Sequence, residues 1–267
     1  MPSRRSRMPQ ILLAGALCCA CRAAPTPAGF SMPRSVVDLS PTIGEDAPAA
    51  TVGRKILREL GLPESTTFHH TISETPFYVA DSKLELFNHI GPHHDAPSHM
   101  IKGGKTTDQF ALDSFLGPAR ILDFRAKPKD LPLSRADFEG AGVKSGDIVI
   151  AFVGYTPPTS PDEYPSYAYL SGEAAEYLAT LPVKLFATDM PSLAGLRNLT
   201  LLIAKGGKGP SFFASEHYAF LSRNIPSIEG LVNLEQVVAE KHVVFVGFPL
   251  KIRDGNAGPL RAAALVY

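Results

Sequence analysis

Apolar and polar residues fall into short runs of two kinds along the chain. Residues 36–39, 119–124, 147–154, 184–188 and 243–248 are apolar stretches of strand length. From Leu84 the period is two, with Leu84, Leu86, Asn88 and Ile90 on one side and Glu85, Phe87, His89 and Gly91 on the other. Residues 71–79 are extended in character, and Pro76 among them assigns the stretch to an edge. Helical spacing marks residues 54–60, closed by Gly61 and Pro63, and residues 134–141 and 231–240. Ser171 is placed to cap a helix reaching Leu181, in which Ala174, Ala175, Leu178 and Leu181 form one apolar stripe. Strands and helices interleave without an internal repeat, which predicts a single α/β domain with a mixed β-sheet core flanked by helices. Residues 156–169, rich in Pro and Tyr, read as a loop that could act as a lid or as a contact between subunits.

Composition narrows the chemistry. The 267 residues carry 26 basic and 26 acidic side chains, so nothing in the charge favours nucleic acid or an anionic membrane surface. All three cysteines, Cys18, Cys19 and Cys21, lie near the N-terminus. The body of the chain therefore has no disulfide, thiolate nucleophile or thiolate-bound zinc, and its chemistry rests on oxygen and nitrogen ligands. Arg4, Arg5 and Arg7 precede an apolar run over residues 11–20 and then the stretch Ala24-Pro25-Thr26-Pro27-Ala28, the plan of an export leader. The run is about half of the roughly 20 residues that span a bilayer, so no membrane span is expected. Residues 1–31 are thus expected to be leader and linker and residues 32–267 the domain, exported to the periplasm or secreted. The competing reading starts translation at Met32 and leaves the protein cytoplasmic. Gly103-Gly104-Lys105-Thr106 imitates the end of a phosphate-binding loop, but His99 occupies the place of the first required glycine.

Four of the eight histidines fall within His89-Ile90-Gly91-Pro92-His93-His94-Asp95-Ala96-Pro97-Ser98-His99. Pro92 and Pro97 oppose a helix here, and in an extended backbone His89, His93, Asp95 and His99 share one side. Two imidazoles and a carboxylate form a plausible shell for a divalent ion such as zinc or manganese with positions open to water and substrate. Such an ion brings the pKa of bound water towards roughly 7, which is hydrolytic chemistry. The bland alternative is a loop whose histidines satisfy backbone carbonyls or face solvent. Downstream, His217 shares a helical face with Leu221, and Glu229 precedes a glycine in an apolar setting where an unpaired carboxylate is costly.

The histidine segment resembles the H-x-G-T-H-x-D-x-P-x-H signature of the cyclase family of metal-dependent hydrolases, which includes bacterial kynurenine formamidases and isatin hydrolases. Pro92 stands where the pattern has Thr. The stretches Ser215-Glu216-His217 and Ile228-Glu229-Gly230 are similar to a second, His-and-Glu part of the family pattern. The resemblance implies a swivelling β/β/α, cyclase-like fold in which His89, His93 and Asp95 hold one ion. Asp95 would bridge to a second ion held by His217 and Glu229, while His99 moves protons. One or two divalent ions are implied, zinc first and manganese second. The implied reaction is hydrolysis of a small aryl amide, as in an arylformamidase acting on N-formylkynurenine, with an aryl-fused lactam of the isatin type as the alternative. A homodimer or homotetramer is implied as well. A metal- or ligand-binding protein without turnover competes with this reading, and His99 separates the two because mere binding needs no proton shuttle. Phe68, Phe77, Phe87, Tyr155 and Tyr167 are the aromatic candidates for an aryl substrate. His69, His70, His94 and His242 read as structural or solvent-exposed.

Overall fold

The computed structural model describes residues 31–47, 52–73, 76, 78–198 and 215–267; the expected leader and Phe77 lie outside these residues. Residues Pro33–Tyr267 form one compact unit. Its framework is a mixed sheet built from β1 (Ser35–Asp38), β4 (His93–Asp95), β5 (Leu116–Asp123), β7 (Ile148–Phe152), β9 (Leu185–Thr188), β10 (Ser227–Glu229), β11 (Val243–Pro249) and β12 (Ala257–Val266). The order is β1-β12-β11-β5-β7-β9-β10-β4, and β4 also pairs with β12, so the ladder closes into a ring. Ten residues make β12 long enough to serve three neighbours: Ala257–Pro259 face β4, residues 260–266 pair with β11, and residues 263–266 also pair with β1.

A short parallel pair joins β6 (Pro132–Leu133) to β8 (Tyr169–Leu170), and in the main sheet β5, β7, β9 and β10 run parallel. Their crossovers carry α2 (Arg135–Glu139), α3 (Gly172–Thr180) and α4 (Ser215–Leu221), and the helices cover the outer face of these strands. A strand covered on both faces reads as continuous apolar sequence. In β7, Ile148, Ile150 and Phe152 fill the core enclosed by the ring, while Val149 and Ala151 meet the helices. The Ser171 hydroxyl accepts the Ala174 amide at 3.1 Å and starts α3 where a cap was expected.

Two local expectations differ. The predicted strand over residues 84–90 does not form: β3 (Val79–Glu85) pairs only with β2 (Thr67–Ser73), and the ladder ends where Thr67 faces Glu85. Beyond that point the chain has no partner strand among the described residues and turns into the site, with Gly91 at a φ of 59°. The predicted helix over residues 231–240 is a single 3-10 turn, Leu234–Gln236. Asn233 is left-handed at φ 60° and donates its side-chain amide to the Asp38 carbonyl at 2.8 Å, which holds the turn out of an α-helix. Leu231, Leu234 and Val237 repeat every three residues, the period of a 3-10 turn, and all three are buried in the enclosed core. The loop over residues 156–169 packs behind α1 (Arg54–Glu59), where Arg58 donates to the Pro161 carbonyl at 2.9 Å and the Tyr164 hydroxyl to Glu59 at 2.7 Å. Among the described residues no helix is long and apolar enough to cross a membrane.

Candidate metal centre

The antiparallel pairing of β4 with β10 sets the geometry. Glu229 lies opposite His93 and Ser227 opposite Asp95, so His93, Asp95 and Glu229 leave the two strands on one face. His94, between them, points the other way, into the enclosed core, where the ring centres of Phe110 and Phe115 lie 4.8 and 4.9 Å from its own in T-shaped contacts. It is structural, as expected, and burial pushes its pKa down to about 4. The shared side expected for all four site residues exists, but strand alternation accounts only for His93 and Asp95. His89 arrives from the turn at Gly91, and His99 from a 3-10 turn, Pro97–His99, for which Pro97 is the first residue. Gly104 packs against the Pro97 backbone, where a Cβ would lie 2.8 Å from its carbonyl carbon. Of the two glycines that imitate a phosphate loop, Gly104 therefore lies close against the turn carrying His99.

Asp95 is the centre of the arrangement. Its Oδ1 is 2.9 Å from His89 Nδ1 and 3.5 Å from His93 Nε2, while its Oδ2 is 3.7 Å from His217 Nε2. Glu229 divides in the same way, with Oε1 2.9 Å from His217 Nε2 and Oε2 3.5 Å from His93 Nε2. His89, Asp95 and His99 form one set of donors within 4.8 Å of one another, and His93, Asp95 and Glu229 form a second. His93 Nδ1 lies 3.1 Å from the Gly91 carbonyl, which selects the tautomer that turns Nε2 towards the carboxylates. The Leu193 amide donates to Glu229 Oε1 at 2.7 Å and orients that carboxylate.

His93, Asp95, His217 and Glu229 are all at most 6% exposed, a depth at which uncompensated charge is expensive. Burial opposes charge on His217, yet Glu229 and then Asp95 outweigh it and raise its pKa to about 9. Burial also opposes the Asp95 carboxylate, but His89 and His93 hold its pKa well below the usual range. Despite its closeness to His89, Asp95 Oδ1 has no aligned hydrogen-bond partner among the described residues, and neither has His217 Nδ1. Apart from the His217 Nε2–Glu229 Oε1 hydrogen bond, the donors converge on Asp95, whose Oδ1 is left without an aligned partner among the described residues, which is how ligands to a cation are disposed. The residues therefore fit a divalent ion. His99 stands with its ring 4.4 Å from that of His89, and burial lowers its pKa to about 4.

The site opens into a cavity of about 520 Å³. Phe87 lines it; Tyr155 instead lines a smaller cavity behind it, and Phe68 lies on the β2–β3 hairpin. Tyr167 is a structural tie, donating to the Ala194 carbonyl at 2.6 Å and accepting the Leu196 amide at 3.2 Å. Pro92 faces a groove beside Leu250 and Pro259, away from the imidazoles, and its carbonyl accepts the Leu260 amide at 2.9 Å. The loss of a Thr hydroxyl at Pro92 thus takes nothing from the described wall of the cavity. Sequence reasoning missed Leu57, Leu60, Asn88 and Asn256, which also line the cavity. Leu57 and Leu60 read as an ordinary core stripe, and no motif marks either asparagine.

Comparison with known proteins decides the family. The sequence profile of the Cyclase family matches residues 37–194. The chain belongs to that family. It is 33% identical over 181 residues to a kynurenine formamidase of Salinibacter ruber, covering 67% of this chain and 76% of that protein. The fold is shared with an isatin hydrolase bound to the product analogue thioisatinate, at a TM-score of 0.65 and 22% identity over 86% of this chain and 92% of the other. A predicted metal-dependent hydrolase from Bacillus stearothermophilus superposes with a TM-score of 0.63 at 21% identity, over 86% and 97% of the two chains.

Proposed function

We propose that the protein is a metal-dependent hydrolase that cleaves a small aryl amide C–N bond, in the manner of an arylformamidase. One observation carries this reading: Asp95 turns one oxygen towards His89 and His93 and the other towards His217, beside Glu229. In the proposal His89, His93 and Asp95 hold one divalent ion, and Asp95, His217 and Glu229 can hold a second. Zinc suits this nitrogen and oxygen donor set, and manganese is the alternative. When bound, the metal supplies Lewis-acid activation of the substrate carbonyl and of water. His99, unprotonated near neutrality, takes a proton from the attacking water and delivers it to the departing nitrogen. The Leu193 amide keeps Glu229 aimed at His217 throughout.

The kynurenine formamidase relative favours an N-formyl aryl amine, and the isatin hydrolase neighbour favours an aryl-fused lactam as the second reading. Assembly into a homodimer or homotetramer is part of the proposal. It is supported by the β2–β3 hairpin, whose register puts Phe68, Ile72, Ala80 and Leu84 on one face around the hydrogen-bonded pair His70 and Ser82, with Ile72 and Leu84 exposed. Two strands alone are marginal in water and gain from a cover. The export leader and the resulting periplasmic or secreted location also remain part of the proposal.

The test is a screen of formanilides and cyclic imides with and without chelator, repeated on His99→Ala. Hydrolysis that chelation abolishes, and that falls by roughly 10²-fold or more in His99→Ala with metal content unchanged, is expected. Bound metal without turnover of any amide or imide would favour a binding protein instead.

A further inference from the structure

His89 reaches the centre from a segment that lies outside the ring. β3 ends at Glu85, yet the His89 imidazole stands with Nδ1 2.9 Å from Oδ1 of Asp95, which belongs to β4. Asn88 bridges the two. Its side-chain amide donates to the Asn256 side-chain oxygen at 2.5 Å and, at 3.5 Å, to the Ala257 carbonyl. Both acceptors sit beside Asp95: Ala257 lies opposite it in the β12–β4 ladder, and the Asn256 carbonyl accepts the amide of Ala96, the next residue, at 3.0 Å. The Asn88 amide thus fastens the residue before His89 to the strand end paired with Asp95. Asn256 is itself held. The Gly255 carbonyl before it accepts the Thr107 amide at 2.9 Å and the Ser98 hydroxyl at 3.4 Å, and the Asp254 amide donates to Asp108 at 3.3 Å.

Resting on the metal-centre reading, we propose that Asn256 is a positioning residue: through Asn88 it sets where the His89 imidazole stands against Asp95, and so how tightly these two share an ion. An acceptor mounted on a loop held by its neighbours fixes whatever donates to it, and hydrogen-bond partners standing behind a metal ligand govern affinity by orienting that ligand. Asn88 and Asn256 both line the cavity, so water can replace the tie when it is cut. Cutting it therefore loosens His89 without unfolding the chain.

The test measures zinc affinity, by competition with a chromogenic chelator, in Asn256→Leu, Asn256→Asp, Asn88→Asp and the double variant Asn88→Asp with Asn256→Asp, each checked for folding by circular dichroism. Asn256→Asp keeps an acceptor for the Asn88 amide, and in Asn88→Asp the Asn256 amide, turned over, donates in its place; the double variant has two acceptors and no donor. Both single aspartates are expected to hold zinc within about threefold of the parent, whereas Asn256→Leu and the double variant lose roughly tenfold or more. Added carboxylates by themselves attract a cation, so charge alone gives the opposite result in the double variant. The visible absorption of the cobalt-loaded protein, which reports the ligands around the ion, should change in Asn256→Leu and match the parent in Asn256→Asp. Parental zinc affinity and cobalt spectrum in a folded Asn256→Leu, or tighter zinc in the double variant, would overturn the inference and leave the metal centre standing. If Asn256→Leu does not fold, the double variant decides. A parent that binds neither zinc nor cobalt would remove the metal centre and this inference with it.

Discussion

Glu229 and Gly230 are adjacent, yet they place different demands on the chain. Glu229 needs the donors around it, while Gly230 needs the absence of a side chain. Its φ is 79°, and a Cβ there would stand 2.6 Å from the Gly91 carbonyl oxygen, the same oxygen that fixes the His93 tautomer. Gly230→Ala therefore strains the backbone and pushes the Gly91 turn away from His93. A loss of about 1–3 kcal/mol in unfolding free energy is expected, together with reduced metal content. Denaturant melts and elemental analysis of the variant check this, and an unchanged midpoint with full metal would refute it. The same logic explains why Pro92 is tolerated where the family pattern has Thr: its carbonyl bonds to Leu260 and its ring faces a groove away from the imidazoles.

At the scale of elements, β9 and β7 are locked together by one buried acid. Asp189, directly after β9, accepts the amides of Val153 at 2.9 Å and Tyr155 at 2.8 Å beyond the end of β7. Burial raises its pKa to about 6, against an ordinary value of 3.8, although those amides pull it back. Between about pH 4 and pH 6 the folded state binds this proton and the unfolded state does not, so this contribution to stability falls as pH rises through that window and is flat above it. Asp189→Asn lacks the titration. The variant is expected to gain stability relative to the parent as pH goes from 4 to 7, by up to about 3 kcal/mol. Parallel denaturant curves test this, and a pH-independent difference would contradict it.

Much of this level was legible in the chain. Continuous apolar runs located β7 and β9 because strands covered on both faces need no polar residues. The four-histidine segment with its paired prolines located the site because few other arrangements bring such residues together. Three features were not legible. Ring closure depends on β12 serving both β11 and β4, which no local pattern encodes. The 3-10 turn at Leu234 repeats apolar residues at a period close enough to that of an α-helix to be mistaken for one. The leucines of α1 look like core residues until the cavity beside them is seen.

For the whole molecule, the β2–β3 hairpin and the metal centre make separate demands. If the hairpin face bearing Ile72 and Leu84 is covered by a second copy, Ile72→Lys combined with Leu84→Lys should shift the mass measured by light scattering towards the monomer without changing metal content. A mass unchanged by both lysines would place the contact elsewhere. The proposed centre draws His89, His93, Asp95, His217 and Glu229 from distant parts of the chain, and an ion there would offset the two buried carboxylates of Asp95 and Glu229. Chelation should accordingly lower the melting temperature, and the divalent ion should restore it. The most direct measurement is the divalent-metal content of the purified protein and of Asp95→Asn, determined side by side by elemental analysis with folding verified by circular dichroism. A stoichiometric ion in the parent, lost from a folded Asp95→Asn, is the expected result; a folded variant that keeps its metal, or a parent that takes up none when zinc or manganese is supplied, would contradict the metal centre and the hydrolysis built on it.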